Sequence, residues 1–378
     1  MTPSDQVPAI DAPTEAGVLD TLVAVGQFEP VAQAAVPESA WNYAAGGSGD
    51  ERTLARNHEA WGELRLAPHT LVDVSSLDTS TDIFGLTLPY PVLVAPTASH
   101  RLYHPDGERA TIRGAAAAEA VYVQSSLGST ALADVAEAAA GADEPWLFQL
   151  YIQRDRGFTR DLVAEAVASG ARALVLTVDT PCLGARDRDK RNQFGRIDGT
   201  SFPILASMPI PADDLPAHRR VYNPLLAPDI TWDDLSWLVG LSPVPVITKG
   251  HLRADDAARA VDAGVAGIIV SNHGARNLDT VPATVEALPG VVDLVAGRVP
   301  VLVDGGIRRG TDIVKALSLG AAAVLVGRPV IWGLAVAGAP GVTHVLEILR
   351  TELEMAMALL GATSLADLTP DLIWPEPR

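Results

Sequence analysis

The chain has 378 residues, 48% of them hydrophobic, and a formal net charge of −18. So acidic a balance offers no basic field for a phosphate backbone, which excludes nucleic acid and anionic membranes as partners. A single cysteine, Cys182, forbids an internal disulfide and fits a reducing, cytoplasmic setting.

No run approaches the ~20 apolar residues of a membrane span, and no signal-peptide pattern opens the chain. Residues 1–16 carry three prolines and three acidic residues and read as a flexible tail, leaving 17–378 as one domain. Residues 17–61 read as a helical cap. Pro37 ahead of Glu38-Ser39-Ala40-Trp41 suits a helix start, and Gly46-Gly47-Ser48-Gly49 suits its stop. Residues 63–66 and 79–88 alternate enough to be short strands, bounded by Pro68 and Pro89.

From residue 91 a rhythm begins. Apolar runs stand at 91–98 (PVLVAPTA), 121–126 (VYVQSS), 146–151 (WLFQLY) and 173–179 (ALVLTVD). Four more stand at 245–250 (PVITKG), 267–274 (GIIVSNHG), 300–306 (PVLVDGG) and 322–329 (AAVLVGRP). Ala-rich helical stretches fill the intervals, for example 107–119, 130–140, 161–169, 254–263 and 311–319. Eight buried strands alternating with helices predict an α/β fold, a (β/α)₈ TIM barrel. The runner-up is a doubly wound open sheet, but no G-x-G-x-x-G follows the first strand. A long insert after the fourth strand, 183–242, would lie over the barrel mouth as a lid, or serve as a loose connector. The apolar spacing of Val345, Leu346, Leu349, Leu353, Met357 and Leu360 predicts a helix that closes the barrel.

Barrel enzymes place their chemistry at the C-terminal ends of the strands. Those ends are Pro96-Thr97-Ala98, Ser125, Gln149 with Tyr151, Thr177 with Asp179, Lys249, Ser271-Asn272-His273 with Arg276, Asp304-Gly305-Gly306 with Arg308, and Gly327-Arg328. His273 can move a proton near neutral pH, and Arg276 can hold a carboxylate through two hydrogen bonds. The glycine turns of the last two strands, each followed by arginine, read as a phosphate site. Amide and hydroxyl groups of Ser125, Gln149 and Thr177 suit a flat heterocycle such as a flavin, with Lys249 placed to meet negative charge. Periodicity does not separate a flavin from a phosphorylated substrate.

The motifs SNHGARNLD, PVLVAPTA, FQLY, LTVDTP, VITKG, VDGGIRRGTD and VGRP, from about residue 41 to residue 368, resemble the FMN-dependent 2-hydroxy-acid oxidase and dehydrogenase family. That family includes glycolate oxidase, lactate oxidase, lactate monooxygenase and mandelate dehydrogenase. The resemblance implies that FMN oxidises an (S)-2-hydroxy acid to the 2-oxo acid, with O₂ as acceptor and hydrogen peroxide as product. A dehydrogenase or monooxygenase variant, and a non-enzymatic flavin-binding barrel, are the alternatives. The implied base is His273, with Asp179 as its partner. Arg276 and Arg186 would clamp the substrate carboxylate, and Tyr151 and Tyr43 would bond substrate oxygens. Cofactor contacts would come from Pro96, Thr97, Ala98, Ser125, Gln149, Thr177, Lys249 and Ser271. Asp304, Gly305, Gly306, Ile307, Arg308, Gly327 and Arg328 would hold the ribityl chain and phosphate. A homotetramer or octamer is also expected.

Three departures bear on specificity. Leu127 and Gln153 stand where the family often carries aromatics, which predicts a pocket for a side chain larger than methyl. Ala98, rather than glycine, resembles the oxidases. His100 and His104 lack a third ligand for a metal and are expected in a surface loop. No metal is expected. Cys182 reads as small filler, and Lys249 as a Schiff-base residue would leave the His–Arg pair unexplained.

Overall fold

The computed structural model describes residues 15–140, 145–192, 201–208, 221–223 and 226–375, so the expected N-terminal tail lies almost wholly outside it. Eight parallel strands close a barrel in the order β10-β3-β4-β5-β6-β7-β8-β9. They are β3 (Val92–Val94), β4 (Tyr122–Ser125), β5 (Trp146–Leu150), β6 (Ala171–Thr177), β7 (Val246–His251), β8 (Gly267–Val270), β9 (Val301–Asp304) and β10 (Ala323–Val326). Each of the eight apolar runs expected to be barrel strands contains one, and all but β7 stop short of the run's polar end. Those polar ends are the loops that carry the chemistry.

Each strand is covered on both faces. Outward residues such as Val92, Phe148, Leu174, Val270 and Val303 pack under the helices. Inward residues such as Leu93, Val123, Leu147, Val175, Ile247, Ile269 and Leu302 fill the barrel. Each such side chain, removed from water, contributes about 1.5–3 kcal/mol.

The expected strand at 79–88 is a hairpin, β1 (Thr81–Ile83) with β2 (Leu86–Leu88). Its Ile83, Leu86 and Leu88 join the barrel's interior cluster, so it plugs the N-terminal end. The turn residues Phe84 and Gly85 have φ of +55° and +74°, the pairing of a tight two-residue hairpin. Phe84 adopts this costly conformation while lying against Gly267 at the start of β8. A Cβ there would stand 2.5 Å from the Phe84 ring. The strand expected at 63–66 does not form. Glu63 ends the helix Arg52–Glu63, and Leu66 makes only an isolated bridge to Ile373.

Four helices precede the hairpin: Glu15–Leu19, Val25–Ala35, Glu38–Ala45 and Arg52–Glu63. The last is bound to the C-terminal rim of the barrel. Asp279, just beyond β8, caps its first turn by accepting from the Thr53 N–H (2.8 Å) and the Arg52 N–H (3.3 Å). Trp61 Nε1 donates to Gly305 O at 2.9 Å.

Much of the insert 183–242 lies outside the described residues. Its described parts include a short helix, Asp187–Arg191, and a longer one, Trp232–Leu241. Leu235 and Leu238 of the latter are buried in the main core, so the end of the insert belongs to the barrel's outer layer.

The closing helix is longer than its apolar spacing suggests, Arg328–Leu360, and starts directly at the end of β10. By length and composition it would pass for a membrane span, unlike the expectation from sequence, yet 67% of its apolar window is buried. It also breaks at Ala337 and Gly338. Val345, Leu346, Leu349, Leu353 and Met357 are fully buried, as their spacing requires.

Candidate active site

One cavity opens at the C-terminal ends of the strands. Nineteen of the twenty-one expected site residues line it; Asp179 and Ser271 stand behind, in contact with residues that do.

His273 follows β8 on a left-handed turn. His273, Gly274 and Ala275 have φ of +58°, +61° and +62°. For the two non-glycine residues this costs of order 1–3 kcal/mol each. Asn272 holds the turn: its Oδ1 accepts from Ala275 N (3.1 Å) while its amide pairs reciprocally with that of Asn57, at 2.9 and 2.7 Å. The turn directs the His273 ring at Asp179, with Nδ1 2.9 Å from Oδ1.

Burial pushes the His273 pKa down. Asp179 opposes that, and Lys249 and Arg186 reinforce it, so the ring stays below its ordinary value and rests neutral at neutral pH. Burial would raise Asp179, but the charge and hydrogen bond of His273, with Lys249 and Thr180, hold it at about 2. The pair is therefore a carboxylate and a neutral imidazole, the resting state a general base needs.

Four arginines crowd the same cavity. Arg186 sits at about 10 and Arg308 at about 10, and Arg328 at about 9. Burial is the main cause in each; for Arg186 the neighbouring Arg276 adds to it, and for Arg328 both Arg276 and Arg308 do. Cations this close to one another in a cavity are arranged for anions.

Arg276 Nη1 donates to Tyr43 O (2.6 Å) and Gly46 O (2.9 Å), and its guanidinium lies 4.8 Å from the Tyr43 ring. Arg328 donates to Ala44 O, Gly46 O and Gly274 O at 2.9–3.0 Å. Both arginines thus satisfy carbonyls at the C-terminal end of helix Glu38–Ala45, which explains why the N-terminal cap reaches the site. Arg186 Nε donates to Arg276 O at 3.0 Å, which ties the lid to the β8 turn. Arg308 stacks over Trp332 at 4.6 Å.

The opposite wall is a row of polar groups from adjacent strands. Gln149 on β5 accepts from Ser125 Oγ of β4 (3.1 Å) and donates to Thr177 Oγ1 of β6 (3.0 Å). Lys249 Nζ lies 3.1 Å from Asp304 Oδ2 and donates to Ser271 Oγ at 2.9 Å. Ser271 Oγ in turn donates to Asp304 Oδ2 at 2.9 Å. Burial and then the charge of Asp179 raise the Tyr151 pKa, partly eased by the Thr180 hydroxyl, so Tyr151 stays protonated.

These residues fit FMN. Gly306 (φ +84°) packs so tightly on Asn57 that a Cβ would collide with its carbonyl, so the turn's N–H groups can only be presented by glycine. The N-terminus of helix Arg328–Leu360 opens at the same place, a second source of backbone donors for phosphate. Asp304 Oδ1 is buried without a hydrogen-bond partner among the described residues, which suits a ribityl hydroxyl.

Two expectations fail. His100 is not in a surface loop: it is fully buried, with Nε2 2.6 Å from Thr97 Oγ1 and Nδ1 2.8 Å from Thr111 Oγ1. Gln153 does not line the cavity; its side chain turns to the Tyr151 carbonyl at 3.2 Å. Leu127 does line it, together with Leu183 and Tyr103, which the sequence did not single out. Asn57, Thr180, Asn277 and Asp279 were also missed. Asn277 and Asp279 share the motif of His273, but their partners lie more than 90 positions away in the chain.

A family model described as FMN-dependent dehydrogenase matches residues 32–375. A peroxisomal (S)-2-hydroxy-acid oxidase of Oryza sativa subsp. japonica is 45% identical, over 94% of this chain and 96% of the relative. An L-lactate oxidase of Nostoc sp. is 46% identical, over 90% and 95%. Among solved structures, a mandelate oxidase with (S)-2-phenylpropionate superposes with a TM-score of 0.83 at 39% identity, covering 92% of this chain and 96% of that one. The fold, the cavity and these likenesses agree that the chain belongs to the FMN-dependent dehydrogenase family.

Proposed function

We propose that the protein is an FMN-dependent oxidase that converts an (S)-2-hydroxy acid to its 2-oxo acid and passes the electrons to O₂, giving hydrogen peroxide. The observation that carries this reading is the neutral His273, paired with ionised Asp179, in a cavity that also holds Arg186 and Arg276.

The two arginines bind and orient the substrate carboxylate, which removes much of the entropic cost of reaching the base. Tyr43 and Tyr151 bond the substrate oxygens. His273 Nε2 takes a proton from the substrate, and Asp179 stabilises the imidazolium that results. Bound FMN supplies the two-electron acceptor, held by the Ser125–Gln149–Thr177 row, Thr97, Ala98, Lys249 and the glycine turns. Ala98 and O₂ as acceptor belong together in this reading, as do the oxidase titles of the relatives.

Leu127 and Leu183 give the cavity an apolar wall, which supports a substrate whose side chain exceeds a methyl group. Turnover of glycolate, lactate and mandelate ranks the candidates. Mandelate ahead of glycolate is expected, and a clear preference for glycolate refutes the size argument. Anaerobic addition of the preferred acid bleaches the yellow protein; a protein that no 2-hydroxy acid bleaches is not this enzyme. We further propose a cytoplasmic homo-oligomer, tetramer or octamer, whose mass in solution light scattering measures.

A further inference from the structure

Behind the His273–Asp179 pair lies a hydroxyl that the proposed chemistry leaves unexplained. Thr180 is buried, and its Oγ1 lies 2.8 Å from Asp179 Oδ1, 2.8 Å from Asn277 Nδ2 and 3.3 Å from His273 Nδ1. Asn277 Nδ2 also lies 3.0 Å from the backbone carbonyl of Asp179. Two loops meet at this hydroxyl, the one after β6 and the one after β8, and Gly184 of the insert packs directly on the nearby Arg276 and Asn277 carbonyls.

The protons can be assigned by elimination. A backbone carbonyl only accepts, so the Asn277 atom facing Asp179 O is the NH₂ group. The same NH₂ therefore donates to Thr180 Oγ1. The Thr180 proton then points elsewhere, and its nearest acceptor is the ionised Asp179 Oδ1. The contact from Thr180 to His273 is left without a proton from Thr180, so Nδ1–H belongs to the imidazole and points at Asp179. The lone pair of His273 is then on Nε2, the nitrogen that can act as base.

We infer that Asn277 and Thr180 are positioning residues: Asn277 turns the Thr180 proton away from His273 and so keeps its productive tautomer, and the Thr180 hydroxyl tunes Asp179. Without the Asn277 donor, Thr180 can turn its proton to His273 Nδ1 and stabilise the tautomer with Nε2 already protonated, which cannot accept the substrate's proton. The hydroxyl has a second effect. By donating to Asp179 it weakens the carboxylate's pull on the imidazolium.

The charged and titratable groups around this cluster are Asp179 after β6, Tyr151 after β5, which also bonds the Thr180 hydroxyl, Lys249 on β7, Arg186 of the insert and, beyond the turn, Arg328. Removing the Thr180 hydroxyl changes none of these charges, but leaves Asp179 a stronger partner. The pKa of His273 then rises, and the acid limb of flavin reduction moves to higher pH.

The inference rests on His273 being the base, and the test separates the two. Anaerobic stopped-flow reduction of the holoenzyme by the preferred 2-hydroxy acid is measured across pH for Thr180→Val, Thr180→Ser and Asn277→Ala. Thr180→Val, nearly isosteric, is expected to shift the acid limb upward and so to slow reduction at pH values below that limb. Thr180→Ser, which keeps the hydroxyl, restores both. Asn277→Ala, which frees the Thr180 proton to reach His273 Nδ1, is expected to slow reduction roughly tenfold or more.

Spectra of ¹⁵N-histidine holoenzyme report the tautomer directly, with His273 signals assigned by their loss in His273→Gln. The wild type is expected to hold the proton on Nδ1, Asn277→Ala to show a mixture, and Thr180→Val, which has no competing hydroxyl, to keep the proton on Nδ1. An Asn277→Ala protein with an unchanged tautomer, or a Thr180→Val protein with an unchanged acid limb, overturns the inference, even if it is slower. If His273→Gln still reduces flavin at the wild-type rate, the reading of His273 as base fails instead.

Discussion

At the scale of single residues, the site works by setting charges against each other. Burial depresses the His273 pKa, Lys249 and Arg186 depress it further, and Asp179 resists them. In Asp179→Asn that resistance disappears, so the His273 pKa falls further and the acid limb of flavin reduction moves to lower pH. The rate also falls, roughly 10²-fold or more, because the imidazolium loses its counter-ion. His273→Gln should leave the protein yellow while abolishing reduction by substrate; a retained rate removes His273 from its role. Asp179 also leaves a mark on stability. Its folded pKa of about 2 lies below its ordinary value of 3.8, so the stability it contributes is complete above that value and is lost as the pH falls toward 2. Asp179→Asn should accordingly flatten the acid unfolding curve in that window.

At the scale of elements, the catalytic turn is legible in the sequence and its support is not. Eight continuous apolar runs announce a parallel barrel, because strands buried on both faces need no polar alternation. Their ends give most of the cavity lining for the same reason: where an apolar run stops at His, Arg or Gly-Gly, the chain has left the core. Asn57, Asn272, Thr180 and Asp279 carry no such mark. Each is an ordinary polar residue until the fold brings in a partner from a distant loop, and single-chain periodicity holds no record of that pairing. His100 was misplaced on the same grounds, since nothing local announces that Thr97 and Thr111 satisfy both its nitrogens in the core. Asp279 shows what such a residue contributes. It caps helix Arg52–Glu63, and Asp279→Ala should cost about 1 kcal/mol of stability, as cap removal does elsewhere. Because that helix also carries Asn57, the variant should bind FMN less tightly. Thermal unfolding and FMN titration of the apoprotein measure the two effects, and a variant unchanged in both would show that the cap neither stabilises the helix nor supports the site.

At the scale of the whole molecule, the barrel, the N-terminal helices and the lid converge on one cluster of buried cations. Arg186, Arg308 and Arg328 lie in a protein of net charge −18, yet the cavity concentrates positive charge where the proposed function puts two anionic groups, a phosphate and a carboxylate. Burial strips these arginines of hydration, neighbouring arginines add repulsion for Arg186 and Arg328, and the pKa values are depressed accordingly. Binding FMN should therefore stabilise the fold as well as equip it for redox chemistry. A ligand that binds only the folded state adds about 2.7 kcal/mol at a hundred times its dissociation constant. For a chain of this size that is a rise in Tm of roughly 3–4 °C. Inorganic phosphate alone, binding only the glycine turns, should give a smaller rise. Riboflavin, which lacks the phosphate, should give less than FMN. Differential scanning calorimetry of the apoprotein with each additive decides the matter. Equal shifts for riboflavin and FMN would mean that the turns after β9 and β10, with Arg308 and Arg328, do not hold the phosphate.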